Sequence, residues 1–271
     1  PVVDRRDTET CRPVLNTPVV LVAWENRSDV LWGGNPNGRL WLRLHEAVTQ
    51  ETWEAYGHPE WGFIKFGQTN PLKSNSGFQT FLLMTYNYAQ KSSGLSNEDI
   101  LDADYQAWYR EFGRNVTKFG DSTGTFMEEI VAYGPSRYDT VAVYESTAIE
   151  HIDNAVARYG STYGGLQVIY PPLTSLSDHP FCVLDAEWVE PEEAQAAKRF
   201  LDFLTAREMQ ELALQYGFRP VHEGVSLDQP GSPFGRYEGN GVRLDIPDQV
   251  EVPGGNVLNT LLEFWARNVQ P

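Results

Sequence analysis

The chain has 271 residues, 41% of them hydrophobic, and a formal net charge of −16. That length and composition suit one large domain or two modest ones with real cores, and exclude global disorder. The acidity excludes a nucleic-acid surface, which needs a basic face, and no run of about 18 apolar residues is present to span a membrane.

The opening Pro1-Val2-Val3-Asp4-Arg5-Arg6 has no apolar core of a signal peptide, so the protein is cytoplasmic or its start has been removed. Cys11 and Cys182 are too far apart for a CxxC motif. They are either two buried thiols or one long-range disulfide of an oxidising compartment.

Short apolar runs bounded by turn residues predict buried strands at Val19 to Trp24, Phe63 to Phe66, Thr140 to Tyr144, Leu166 to Tyr170 and Phe181 to Leu184. Helical spacing of Phe78, Phe81, Leu82, Thr85 and Ala89 predicts a helix, with Ser76 and Gln79 as a capping box. A second helix starts at Thr125 with Glu128 and stops at Gly134. A third places Pro191 at its first position and buries Ala196, Ala197, Phe200, Leu201 and Leu204. Met209, Leu212, Ala213 and Tyr216 continue that pattern to Gly217. The Gly- and Pro-rich tail from Val221 wraps the surface before a last helix, Val257 to Val269. Strands alternating with helices imply an α/β protein with a largely parallel sheet.

Two helix starts carry small hydroxyl residues: Lys73-Ser74-Asn75-Ser76-Gly77 and Gly120-Asp121-Ser122-Thr123-Gly124-Thr125. Free amides and the helix dipole there suit oxyanions, carboxylates or polar sugars. Plain N-capping uses the same residue types. Tyr144-Glu145-Ser146-Thr147 follows an apolar strand, where α/β folds place ligands. An ionised Glu145 there favours a cationic or hydroxyl-rich ligand; alternatively it pairs with an arginine or caps a helix. Asp121 to Thr125 also spells Asp-x-Thr-x-Thr, a loose metal-dependent adhesion motif. None of His45, His58, His151, His179 and His222 has metal-ligand spacing, and no nucleophile elbow, phosphate loop or dinucleotide fingerprint occurs. No cofactor is implied, and no carboxylate pair is singled out for hydrolysis.

Four segments together resemble bacterial extracellular solute-binding proteins of the type II, molybdate-binding-like class, of the kind sometimes fused to a von Willebrand factor A domain. They are Phe66-Gly67-Gln68-Thr69-Asn70-Pro71-Leu72-Lys73-Ser74-Asn75-Ser76-Gly77, Tyr138-Asp139-Thr140-Val141-Ala142-Val143-Tyr144-Glu145, Ser177-Asp178-His179-Pro180-Phe181 and Tyr216-Gly217-Phe218-Arg219-Pro220. The resemblance runs from about Thr17 to Pro220 and into the tail. It implies a periplasmic-binding-protein-like α/β fold: two lobes joined by crossing strands, with a ligand cleft between them. Residues 19–180 would form the second lobe. Residues 1–18 and 181–271 would supply the remainder of the first lobe and a C-terminal wrap. Ser74, Asn75, Ser76, Ser122, Thr123, Tyr144 and Glu145 would face the cleft.

The resemblance also implies that Cys11, before the strand leaving the first lobe, pairs with Cys182, on the strand returning to it. Such proteins usually begin with a strand–helix segment that builds most of the first lobe's sheet, and Pro1 to Asn16 is too short for it. The expectation is therefore a trimmed chain, or a missing part carried by a separate chain, with the protein anchored outside the cytoplasm through that segment. The implied function is non-catalytic capture of a small polar ligand for transport or sensing. The implied partners are that ligand, a membrane transporter and a fused or partner domain. The alternatives are a metal-dependent adhesion module built on Asp121 to Thr125, or a hydrolase.

Overall fold

Eight consecutive buried residues, Thr17–Trp24, form the central strand of the protein, β2. The structure, a computed structural model, describes residues 2–33 and 39–269. Position 1 of the opening segment, positions 34–38 of the expected second lobe and positions 270 and 271 of the expected outer division lie outside the described residues. Along β2, Val19, Leu21 and Ala23 enter one hydrophobic core while Val20, Val22 and Trp24 enter another. The strand's period of two thus serves two cores, so every position is apolar or small.

The described elements, in chain order, are β1 (Cys11–Pro13), β2, α1 (Glu25–Trp32), α2 (Leu40–Gln50), β3 (Phe66–Thr69), α3 (Asn75–Ala89), α4 (Asn97–Leu101), α5 (Ala103–Asn115), β4 (Lys118–Gly120) and α6 (Thr123–Tyr133). There follow β5 (Thr140–Tyr144), α7 (Glu145–Tyr163), β6 (Leu166–Ile169), β7 (Leu176–Ser177), β8 (Pro180–Cys182), α8 (Pro191–Thr205), α9 (Arg207–Gln215), α10 (Pro233–Arg236) and α11 (Gly255–Asn268). The main sheet has the order β4-β3-β5-β2-β6, with β7 paired to the start of β2. Strand β3 is parallel to β4 and β5, whereas β2 runs antiparallel to β5, β6 and β7. The expected largely parallel sheet is therefore mixed. Among the described strands the reversed one is the longest and is wholly buried, and hydropathy carries no direction.

Side chains from α2, α3, α5 and α11 fill the core on one face, those from α6, α7 and the tail between Val225 and Val242 the core on the other. The tail from Val225 thus packs on the main sheet. The expected strand at Phe63 to Phe66 begins three residues later. Phe63 is 67% exposed, and its strand-like contact is an isolated bridge to Thr52. Buried Asp139 sets the entry of β3 instead, accepting from the Lys65 amide at 2.8 Å and from Arg27 Nε at 3.1 Å. The strand then runs on through Gln68 and Thr69, polar yet wholly buried.

Helix ends also moved. Ser74, not Ser76, is the N-cap of α3, and Ser122 rather than Thr125 that of α6. Gly134 ends α6, and Pro191 opens α8 as expected from their backbone chemistry.

Outside the sheet stands a smaller unit. Strands β1 and β8 pair antiparallel, with Cys11 opposite Cys182 and a disulfide joining them. Helices α8 and α9 follow. The apolar stripe of α8 is not buried as expected: Leu201 alone is fully covered, while Phe200 and Phe203 are about half exposed. Trp188, Leu184 and Leu212 are exposed as well. A two-stranded ribbon offers too little surface to cover such a helix.

Candidate functional site

Strands β3, β4 and β5 run parallel, so their carboxyl ends share one edge of the sheet, and each leads into a helix. Thr69 lies opposite Gly120, and the Asn70 amide donates to the Gly120 carbonyl at 2.7 Å. The starts of α3, α6 and α7 therefore converge, with their amides and dipoles facing outward.

At α3 the turn is built by Asn70. Its side chain accepts from the Leu72 amide at 2.8 Å, and its carbonyl from the Lys73 and Ser74 amides at 2.9 Å. Ser76 is fully buried, its hydroxyl 2.9 Å from that of Thr69 and 3.1 Å from that of Ser74. Gly77 lies against the end of β3, where an added Cβ would fall 2.1 Å from the Thr69 carbonyl oxygen. Ser74 makes no capping hydrogen bond with its side chain, and neither does Ser122 at α6. Both first turns thus keep their amides free of side-chain caps. Lys73 Nζ and Asp121 Oδ1, 3.0 Å apart, bridge the two helix starts. The Asp121 carboxylate thus has a cationic partner, and the described residues contain no cluster of three metal-ligating side chains. Beside Ser122 a cavity of about 330 Å³ opens, lined by Lys118, Phe119, Gly120, Asp121, Thr125 and Phe126. Thr123, half-buried in the first turn of α6, does not line it.

At α7, Tyr144 is the N-cap residue. Burial pushes its phenol pKa up, against hydrogen bonding to Ser177 and Asn75. Asn75 Nδ2 reaches Ser177 Oγ at 3.4 Å, so Asn75, Tyr144 and Ser177 meet. The His179 ring lies between Tyr144 and Phe218, with centroids at 6.1 and 5.7 Å. Its backbone has a positive φ of 36°, uncommon for a residue with a side chain. Reading by helix starts missed Ser177, His179 and Phe218. The signal was their place in the quoted segments.

Glu145 is placed differently from its neighbours. Fully buried, it accepts from Arg219 Nε at 2.8 Å and Nη2 at 2.7 Å, and from the Tyr170 hydroxyl. Burial raises its carboxyl pKa, opposed by Arg219 and Tyr170. Of its two sequence readings, ligand contact and arginine pairing, the geometry displays the pairing.

A larger cavity, about 740 Å³, lies elsewhere, between β6 and the segment from Phe234 to Asp245. Its wall includes Glu25, Asp29, Glu238 and Asp245. The Glu25 carboxylate there already accepts from the Gly165 amide. Volume alone thus points away from the strand ends, but convergent free donors are found at the strand ends.

The sequence profile of a bacterial extracellular solute-binding protein family matches residues 4–219. The chain belongs to that family. Its members bind solutes and are not enzymes, which assigns a solute-binding role and an extracytoplasmic setting. No curated protein sequence matches the chain.

Among solved structures, the ferric binding protein from Campylobacter jejuni superposes with a TM-score of 0.59 at 11% identity, over 99% of this chain and 71% of that one. The substrate binding protein of an ABC transporter from Agrobacterium tumefaciens gives 0.58 at 14%, over 96% and 67%. The sulfate-binding protein from Mycobacterium tuberculosis gives 0.52 at 17%, over 97% and 72%. At such identities the likeness is one of fold. This solute-binding protein shares the architecture, and its ligand must be argued from its own residues.

Proposed function

We propose that this solute-binding protein holds a small solute bearing an oxyanion or carboxylate at the shared edge of β3, β4 and β5. The acceptor oxygens of the solute would meet the first-turn amides and the hydroxyls of Ser74 and Ser122, with Asn75, Thr123, Tyr144 and Ser177 around them. Ser76 would contribute its amide, since its hydroxyl is engaged within the protein. One observation carries this reading: two serine N-caps on converging helices leave their first turns without side-chain caps. The charge of Glu145 is matched by Arg219, so the sequence argument for a cationic ligand loses its basis. In this reading residues 2–16 and 178–220 belong to one lobe, the main sheet is the other, and the solute passes to a membrane transporter.

Native mass spectrometry of gently purified protein should find an anionic passenger. Calorimetry with sulfate, phosphate, small carboxylates, sugars and amines should give heat with an anion. Ser74→Ala should weaken that binding about two- to tenfold, the worth of one neutral hydrogen bond. Binding of a sugar or amine that ignores Ser74→Ala and Ser122→Ala would overturn the reading.

A further inference from the structure

Three stretches pass between the main sheet and the disulfide-linked ribbon: Asn16–Thr17, Ser177–His179 and Phe218–Arg219. They are knotted together. Asn16 and Arg219 exchange backbone hydrogen bonds at 3.0 and 2.8 Å. Thr17 pairs with Ser177 in register, and its hydroxyl accepts from the Ser146 amide at 3.1 Å. Arg219 lies at the centre, 7% exposed. Besides the two bonds to Glu145, it donates from Nη1 to the Leu244 carbonyl at 2.6 Å and from Nη2 to the Arg243 carbonyl at 2.7 Å. Its guanidinium sits 4.9 Å from the Phe234 ring centroid. A planar fork with fixed donor directions can hold a carboxylate and two carbonyls at once, which an ammonium cannot.

Tyr144 precedes Glu145, and Phe218 precedes Arg219. Between their rings stands His179.

We propose that Arg219 is a positioning residue: by clamping Glu145 and the 243–244 carbonyls, it fixes the crossing stretches and hence the Tyr144–His179–Phe218 wall of the ligand site. A buried ion pair kept only for stability can be exchanged for apolar side chains at little cost. Exchanging a positioning pair likewise costs little stability, but its directed bonds disappear and the placement they hold is lost. The placement of this wall beside a solute rests on the function proposed above, but the clamp itself does not.

The test compares parent, Glu145→Leu/Arg219→Met and Arg219→Lys, all without added solute. The readouts are melting temperature, the ring-proton resonances of His179, which Tyr144 and Phe218 shift by ring current, and amide exchange at 145–146, 177–179 and 218–219. The double variant should melt close to the parent. Its His179 resonances should move, and exchange at 145–146, 177–179 and 218–219 should accelerate about tenfold while 66–69 and 140–143 stay protected. Should the double variant fail to fold, Arg219→Lys, which keeps the charge, must show the same displaced resonances. Unchanged His179 resonances and exchange in either folded variant would overturn the proposal. Calorimetry of the parent with sulfate, phosphate and small carboxylates answers separately: no heat there sinks the ligand reading and leaves the clamp standing.

Discussion

Glu145→Ala would strand the Arg219 guanidinium in a buried site with only carbonyls as acceptors. Removing one partner of such a pair costs roughly 3–5 kcal/mol. Denaturant melts should show that loss, with the midpoint falling and the slope unchanged. The same residue marks a limit of sequence reading. Tyr144-Glu145 after an apolar strand reads equally as a ligand contact or as half of an ion pair. The partner lies 74 positions away, and no local pattern indicates it. Ser74 and Ser76 illustrate the point again. Both read as donors at a helix start, but burial commits the Ser76 hydroxyl to Thr69 and Ser74 and leaves Ser74 half-exposed.

Helix α6 is held to its strands by Glu129, which accepts from Lys118 at 3.0 Å, Arg137 at 2.9 Å and Tyr138 at 2.8 Å. Burial alone would raise its carboxyl pKa, but these three donors hold it at about 2. A folded pKa below the unfolded value means stability present above about pH 4.5 and lost as the pH falls toward 2. Lys118 and Arg137 are partly in solvent, so after screening the effect is about 1–2 kcal/mol. Glu129→Gln should flatten the acid limb of the stability–pH curve; an unchanged limb would contradict this. Elements with a strict apolar period were legible: β2, β5, α3 and α11 lie within two residues of their sequence placement. Strand β3 was displaced because Thr69 is buried by α3, whose close approach at Gly77 no hydropathy pattern encodes, and Gln68 is buried beside Tyr109 of α5.

The disulfide closes a sequence separation of 171 residues. In the chain-entropy model it is worth about 5 kcal/mol, so reduction should lower the unfolding midpoint of the parent and leave Cys11→Ala/Cys182→Ala unaffected. The open stripe of α8 makes another prediction. Phe200→Ser/Phe203→Ser should cut the fluorescence of a bound apolar dye and cost no more than about 1.5–3 kcal/mol, the worth of two half-buried rings. A large destabilisation would mean that the stripe packs within the chain.

Composition and period were enough to establish an α/β protein with an acidic surface, a central apolar strand and hydroxyl-rich helix starts, because local chemistry determines each of these. The quoted segments were enough to place the family. Strand direction, the pairing of Glu145 with Arg219, the meeting of Asn75, Tyr144 and Ser177, and the exposure of α8 were settled only by tertiary structure. Each depends on which distant segments come together. Hydropathy records that a side chain avoids water, not which neighbour shields it or which way the adjoining strand runs.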